Sequence, residues 1–400
     1  MMNTTSGKLF KNFTTLFVGL LLVQIINFLF SLVLPKYFSP IQFAQFGIFT
    51  SIVFILIELI NAKLEVAVML GKNNEEAKQI VIAAITAAII LSILTTLISI
   101  PIIIFYGKVY ILLPLIVLLY GLHQPILVYL NKIENYKAIN NFRVIQVLVT
   151  CVLTLVLAYL KIKTALIIGF FIGLLFATIY SLQFVSIKFD IEILKQKIKQ
   201  YDQFPKFGTW SSLLNNFSRN SIPLLLAQFF SKQMVGFYAY STRLLNAPTG
   251  MYTTAISQIY YKIASETEHQ HLKKETHKII LFSFIIGIIP TLIILFFGKD
   301  IFYLMFSGEW LASGKIAQYL ILWYFSGIIS GPISFLLDVK NKLKFEFGFN
   351  IAFFLMRIIA ICIGAFYHDF YLSIILFCAV GVFMNLYLLW YINFNLLKND

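Results

Sequence analysis

Twelve apolar stretches, each long enough to cross a lipid bilayer as a helix, follow one another along the chain with short polar connections between them. A hydrocarbon core of roughly 30 Å takes about twenty helical residues, and within it every backbone amide must be satisfied inside its own segment. The stretches fall at 13–34, 43–70, 79–106, 109–130, 142–160, 164–186, 208–230, 233–261, 278–297, 315–338, 345–366 and 371–395. The dyad alternation of a membrane barrel is absent. The expectation is therefore an all-α membrane protein with about twelve transmembrane helices. A composition of 60% apolar and 12% charged residues agrees, since soluble domains carry about twice that share of charge.

Charge then sets orientation. With the N-terminus inside, the cytoplasmic loops hold 20 Lys and Arg and the outer loops hold 7. That asymmetry predicts both termini in the cytoplasm. The net charge of +14 is read as attraction to an anionic lipid surface, not to nucleic acid. Lys8 and Lys11 precede an apolar run too long for a signal peptide and without a cleavage site, so it reads as the first span. Cys151, Cys362 and Cys378 all lie in apolar runs and form neither a disulfide nor a metal pattern.

The longest polar connection, 187–207, is lysine-rich and amphipathic, and reads as a cytoplasmic linker helix against anionic headgroups. It divides the chain into six-helix lobes at 1–186 and 208–400. A short internal match supports that division: "YFSPIQFAQFGIF" (37–49) aligns with "FFSKQMVGFYAYS" (229–241) at an offset of 192, placing Ala44 against Gly236 and Phe46 against Tyr238. Such an offset implies parallel repeats, and sets Arg219 against Asn27.

No phosphate-binding loop, dinucleotide turn, zinc motif or carboxylate pair in a soluble loop is present, so neither a cofactor nor enzymatic chemistry is expected. Charges inside the spans carry the information instead, because each costs about 3 kcal/mol at mid-bilayer. Arg219 and Arg243 sit near the middle of neighbouring predicted helices, with Asn215, Asn216 and Asn220 beside Arg219. Two guanidiniums at one depth would make a fork for phosphate oxygens. Arg357 is a third such cation. Glu58, Lys63 and Glu65, spaced by five and two, suit a cytoplasmic gate or an ion-coupling carboxylate, or else a buried pair with a neighbouring helix. His123 could titrate during transport or simply hydrogen-bond beside the Pro125 kink.

The stretch 204–261 resembles the central signature of the Wzx-type polysaccharide flippases. Phe204-Pro205-Lys206, Leu213 to Ser218, Phe230-Ser231, Val235-Gly236-Phe237-Tyr238, Arg243-Leu244-Leu245 and Pro248 carry that resemblance. "NAKLEVAVMLGKNNEEA" (61–77) is similar to the family's Arg-Tyr-Glu-x-Ala segment, with Lys63-Leu64 in place of Arg-Tyr. Gly308, Trp310 and Gly314 match a further Gly/Trp pattern, slightly shifted. The family belongs to the multidrug/oligosaccharidyl-lipid/polysaccharide exporter superfamily.

The resemblance implies two six-helix lobes in a V around an alternately opening cavity, in the bacterial cytoplasmic (inner) membrane. It implies flipping of polyprenyl-diphosphate-linked oligosaccharide to the outer leaflet for O-antigen or capsule. Membrane lipids, a coupling proton or sodium ion, and polymerase and chain-length proteins would be its partners. An extruder-type cation or drug antiporter is the alternative, although it should favour acidic cavity residues. A polysaccharide polymerase is a third reading, disfavoured by outer loops of at most about seventeen residues.

Overall fold

The computed structural model describes residues 2–186, 188–266, 269–306, 308–340 and 342–397, and among them there is no strand. The α-helices are α1 (Met2–Val33), α2 (Pro40–Ile60), α3 (Leu64–Ala67), α4 (Asn74–Tyr106), α5 (Leu112–Lys132), α6 (Tyr136–Tyr159), α7 (Ala165–Leu182), α8 (Ile191–Gln200), α9 (Thr209–Asn220), α10 (Ile222–Phe229), α11 (Lys232–Glu266), α12 (His269–Phe306), α13 (Leu311–Ser334), α14 (Leu336–Val339), α15 (Leu343–Phe366) and α16 (Phe370–Tyr391).

Ten of the predicted stretches coincide with helices long and apolar enough to span a bilayer. The other two, 208–230 and 233–261, are also helical but differ in kind. The first is divided into α9 and α10 around Ser221. Pro223 explains the break: it has no amide to bond the Arg219 carbonyl one turn back. The second is the 35-residue helix α11, whose Asn, Ser and Thr content lowers its mean hydropathy.

The predicted second span also ends early. Helix α2 stops at Ile60, because Ala62 and Lys63 take positive φ (50° and 59°) and turn the chain into the short α3. Caps at the expected residue types mark other boundaries. The side chains of Asn73, Asn135, Asp190 and Asp369 accept hydrogen bonds from the first turns of α4, α6, α8 and α16.

The chain forms two compact units, one of residues 1–30 and 46–221, the other of 31–45 and 222–400. In the first, α4 packs on α5 and α8, and α7 on α5 and α6. Its core joins Val68, Ile80, Val81 and Ile85 to Ile126, Leu130 and Ile139. Helix α8 lies along the start of α4, with Leu194 in a cluster with Leu64, Ala83, Ala84 and Ala87.

In the second unit α13 is the central helix, packed by α11, α12 and α16. It is far more buried than α12, which presents most of its surface outward. Gly314 permits the α12–α13 approach, since a Cβ there would come within 2.7 Å of the Gly298 carbonyl oxygen. The two repeat segments meet in this unit: a Cβ on Gly236 would collide with the Pro40 carbonyl. Phe43 packs edge-on to Tyr240 (5.0 Å) and Trp310 (5.3 Å). The small residue of the repeated motif is thus a packing requirement.

Candidate binding residues and their surroundings

In the first unit the turn after α2 folds Lys63 back on its own helix. Its Nζ lies 2.6 Å from Glu58 Oε2 and 3.6 Å from Glu65 Oε1. The spacing of five that is awkward along a helix becomes workable because Ala62 and Lys63 leave it. Asn216 of α9 donates to Glu58 Oε1 (2.6 Å), and Asn220 donates to the Asn216 carbonyl (3.0 Å). Burial raises the Glu65 carboxyl above its ordinary range, against the weaker downward pull of Lys63. Two carboxylates, one ammonium and one amide therefore share a largely buried cluster.

Arg219 stands one turn beyond Asn216 and is different. Its side chain is exposed and makes no hydrogen bond or ion pair among the described residues. The side chain of Asn215 lies outside the described residues. Asn27, on α1, is half-buried and has bonding partners. His123 is buried on α5, its Nδ1 2.8 Å from the Leu119 carbonyl and 3.4 Å from Thr178 Oγ1. Tyr120 and Phe142 flank its ring at 5.0 and 4.8 Å. That setting ties α5 to α6 and α7.

The second unit holds the other two cations. Arg243 of α11 is half-buried and donates from Nε to Ser31 Oγ at 3.0 Å. The Ser31 carbonyl accepts from Tyr240 at 3.1 Å. Arg357 of α15 is buried among rings, its guanidinium carbon 3.7 Å from the Phe353 centroid, 4.9 Å from Trp323 and 5.1 Å from Phe377. Stacking of this kind stabilises a desolvated guanidinium by about 2 kcal/mol.

Three residues carry weight that sequence reasoning did not assign. Asn61 is buried and donates to the carbonyls of Ala84 (3.0 Å) and Gly121 (2.8 Å). Pro125 removes the amide that would have satisfied Gly121, so Asn61 takes its place and ties α2's end to α4 and α5. The proline was the available signal. Arg143, at the edge of the predicted stretch 142–160 and one of the 20 cations of the cytoplasmic side, lies two turns into α6 with its Nη1 buried and unbonded among the described residues. Lys197, counted with the linker lysines, is buried against Glu76 at 3.2 Å.

With ten bilayer-length helices among the described residues, the chain is a multi-pass membrane protein. The profile of the polysaccharide biosynthesis protein family matches residues 33–315, and the chain belongs to that family. Its fold is that of known flippases and extruders. The lipid II flippase MurJ, in an inward closed conformation, is similar with a TM-score of 0.77 at 16% identity, over 94% of this chain and 87% of MurJ. An inward-facing multidrug resistance MATE transporter of the MOP superfamily gives 0.73 at 15% identity, over 94% and 95%. A MOP superfamily transporter from Pyrococcus furiosus, described as having a binding pocket of reverse polarity, gives 0.63 at 13% over 98% and 97%. No curated protein matches the sequence.

Proposed function

We propose that this protein moves polyprenyl-diphosphate-linked oligosaccharide repeat units from the cytoplasmic to the outer leaflet, supplying O-antigen, capsule or a related surface polymer. The observation that carries the reading is Arg219: an exposed guanidinium without a partner among the described residues, on an asparagine-rich helix of a polysaccharide-biosynthesis membrane protein. A diphosphate loses its hydration in hydrocarbon unless fixed donors replace it. Guanidinium and amide donors do so with charge-assisted bonds.

In this reading Arg219, Arg243, Asn27, Asn215, Asn216 and Asn220 serve the cargo. Arg357 acts with them from within its ring cage. Glu58, Lys63 and Glu65 form the gate or ion-coupling cluster, with His123 as a further titratable group. Six-helix lobes at 1–186 and 208–400, joined by the 187–207 linker, rock to alternate access in the bacterial cytoplasmic membrane, both termini inside. No catalytic step is required. Polymerase and chain-length proteins would receive the product.

The extruder reading rests on the same fold and on the buried carboxylates of Glu58 and Glu65. Cells carrying Arg219→Ala separate the two. Lipid-linked precursor should accumulate and surface polymer should fall as in a deletion strain, with the protein present at its normal level. Normal polymer, or cation efflux lost in its place, would favour the extruder.

A further inference from the structure

Helix α8 has two faces with different tasks. Its inner face docks on α4: the Asp190 amide donates to Thr86 Oγ1 (3.1 Å), and Leu194 fills the cluster at Ala83, Ala84 and Ala87. One turn further, Lys197 (3.2 Å) and Gln200 (2.8 Å) both donate to Glu76 Oε1, while the Lys72 amide donates to Glu76 Oε2 (2.8 Å). These contacts run α8 antiparallel along the first four turns of α4. That is the level at which α4 changes from Asn74-Glu75-Glu76 to the apolar run beginning at Ile80. The candidate span Asn74–Tyr106 begins at this level.

The outer face combines charge with grease. Lys188, Lys195 and Lys199 are exposed and form no ion pair among the described residues. Between them Phe189 and Ile191 stand about half exposed, with Ile198 a little less so. Glu192 is the exposed acid on α8, and Asp190 is engaged as the helix cap. Apolar residues interleaved with lysines suit headgroups above acyl chains, where an acidic protein surface would leave the isoleucines and the phenylalanine wet.

We infer that the outer face of α8 and of the segment leading into it, with Lys188, Lys195 and Lys199 around Phe189, Ile191 and Ile198, is a binding site for anionic phospholipid headgroups. Occupancy adds to the Lys197–Glu76 latch in holding the linker on α4. Each lysine near an anionic surface adds to the attraction, so local opening of the linker is suppressed when the lipid is anionic.

The test uses the full-length protein in nanodiscs of phosphatidylcholine alone or with phosphatidylglycerol, following hydrogen exchange of amides 188–200. Exchange should slow about tenfold with phosphatidylglycerol. Inorganic phosphate added to phosphatidylcholine discs should not reproduce it. The variant K188Q/K195Q/K199Q should exchange like wild type in phosphatidylcholine and gain nothing from phosphatidylglycerol. Equal exchange of the wild type in both lipids overturns the site without need of the variant. Slowing by polyglutamate but not by phosphatidylglycerol overturns it in favour of an acidic protein partner. None of these readings depends on what the protein transports.

Discussion

The two units stabilise their buried cations by different means. In the first, Lys63 is held by the carboxylates of Glu58 and Glu65, with Asn216 on the far oxygen of Glu58. In the second, Arg357 is stacked against Phe353, Trp323 and Phe377. A carboxylate cluster responds to protons and to the removal of any one charge. A ring cage is indifferent to pH and fails when a face is lost. The stability of the first therefore depends on pH, and that of the second on its aromatic faces.

That contrast can be broken by substitution, and the largest effect is expected at Lys63. Lys63→Ala leaves two carboxylates together in a largely buried site and should destabilise by about 3 kcal/mol. Thermal unfolding of the purified protein at neutral pH would measure it, and acidification should restore part of the loss. Next comes Asn61→Ala, which deprives the Gly121 carbonyl of its donor and should cost about 1–2 kcal/mol. Repeating it in a Pro125→Ala background returns the missing backbone amide, so the cost there should shrink markedly. Phe353→Leu removes the nearest face from Arg357 and should cost about 1 kcal/mol, unchanged by pH.

The smallest effect is expected at Glu65. Its carboxyl titrates above the unfolded value, so the folded state keeps its proton while the unfolded state has already lost it. Folding is therefore weakened as pH rises from the ordinary carboxylate range through the raised value. Glu65→Gln should raise the melting temperature slightly at neutral pH and leave it unchanged in acid. A rise of equal size at both pH values would show that the Glu65 charge is not what the fold resists.

The helices were legible because hydropathy and the hydrocarbon thickness dictate them almost alone, and each of the twelve stretches holds a helix. What escaped was set by backbone detail. The positive φ at Ala62 and Lys63 belongs to non-glycine residues, so no sequence signal ends α2 at Ile60. The division between α9 and α10 could have been read from Pro223, which stands four residues after Arg219. Lys197 was indistinguishable from its neighbours in a lysine-rich helix, since only docking on α4 singles it out. Arg219 and Arg357 were both noticed as charges in apolar surroundings. Sequence could not reveal that one is exposed and the other enclosed by rings.

The most direct measurement of the central claim is transbilayer movement of a fluorescent polyprenyl-diphosphate oligosaccharide in proteoliposomes. Wild type would be compared with Arg219→Lys, Arg219→Ala and Arg219→Glu. Because an anionic cargo is held by charge-assisted donors, Lys should keep part of the rate, Ala should lose it about tenfold or more, and Glu should abolish it. Equal rates across all four proteins would contradict an anionic cargo at Arg219.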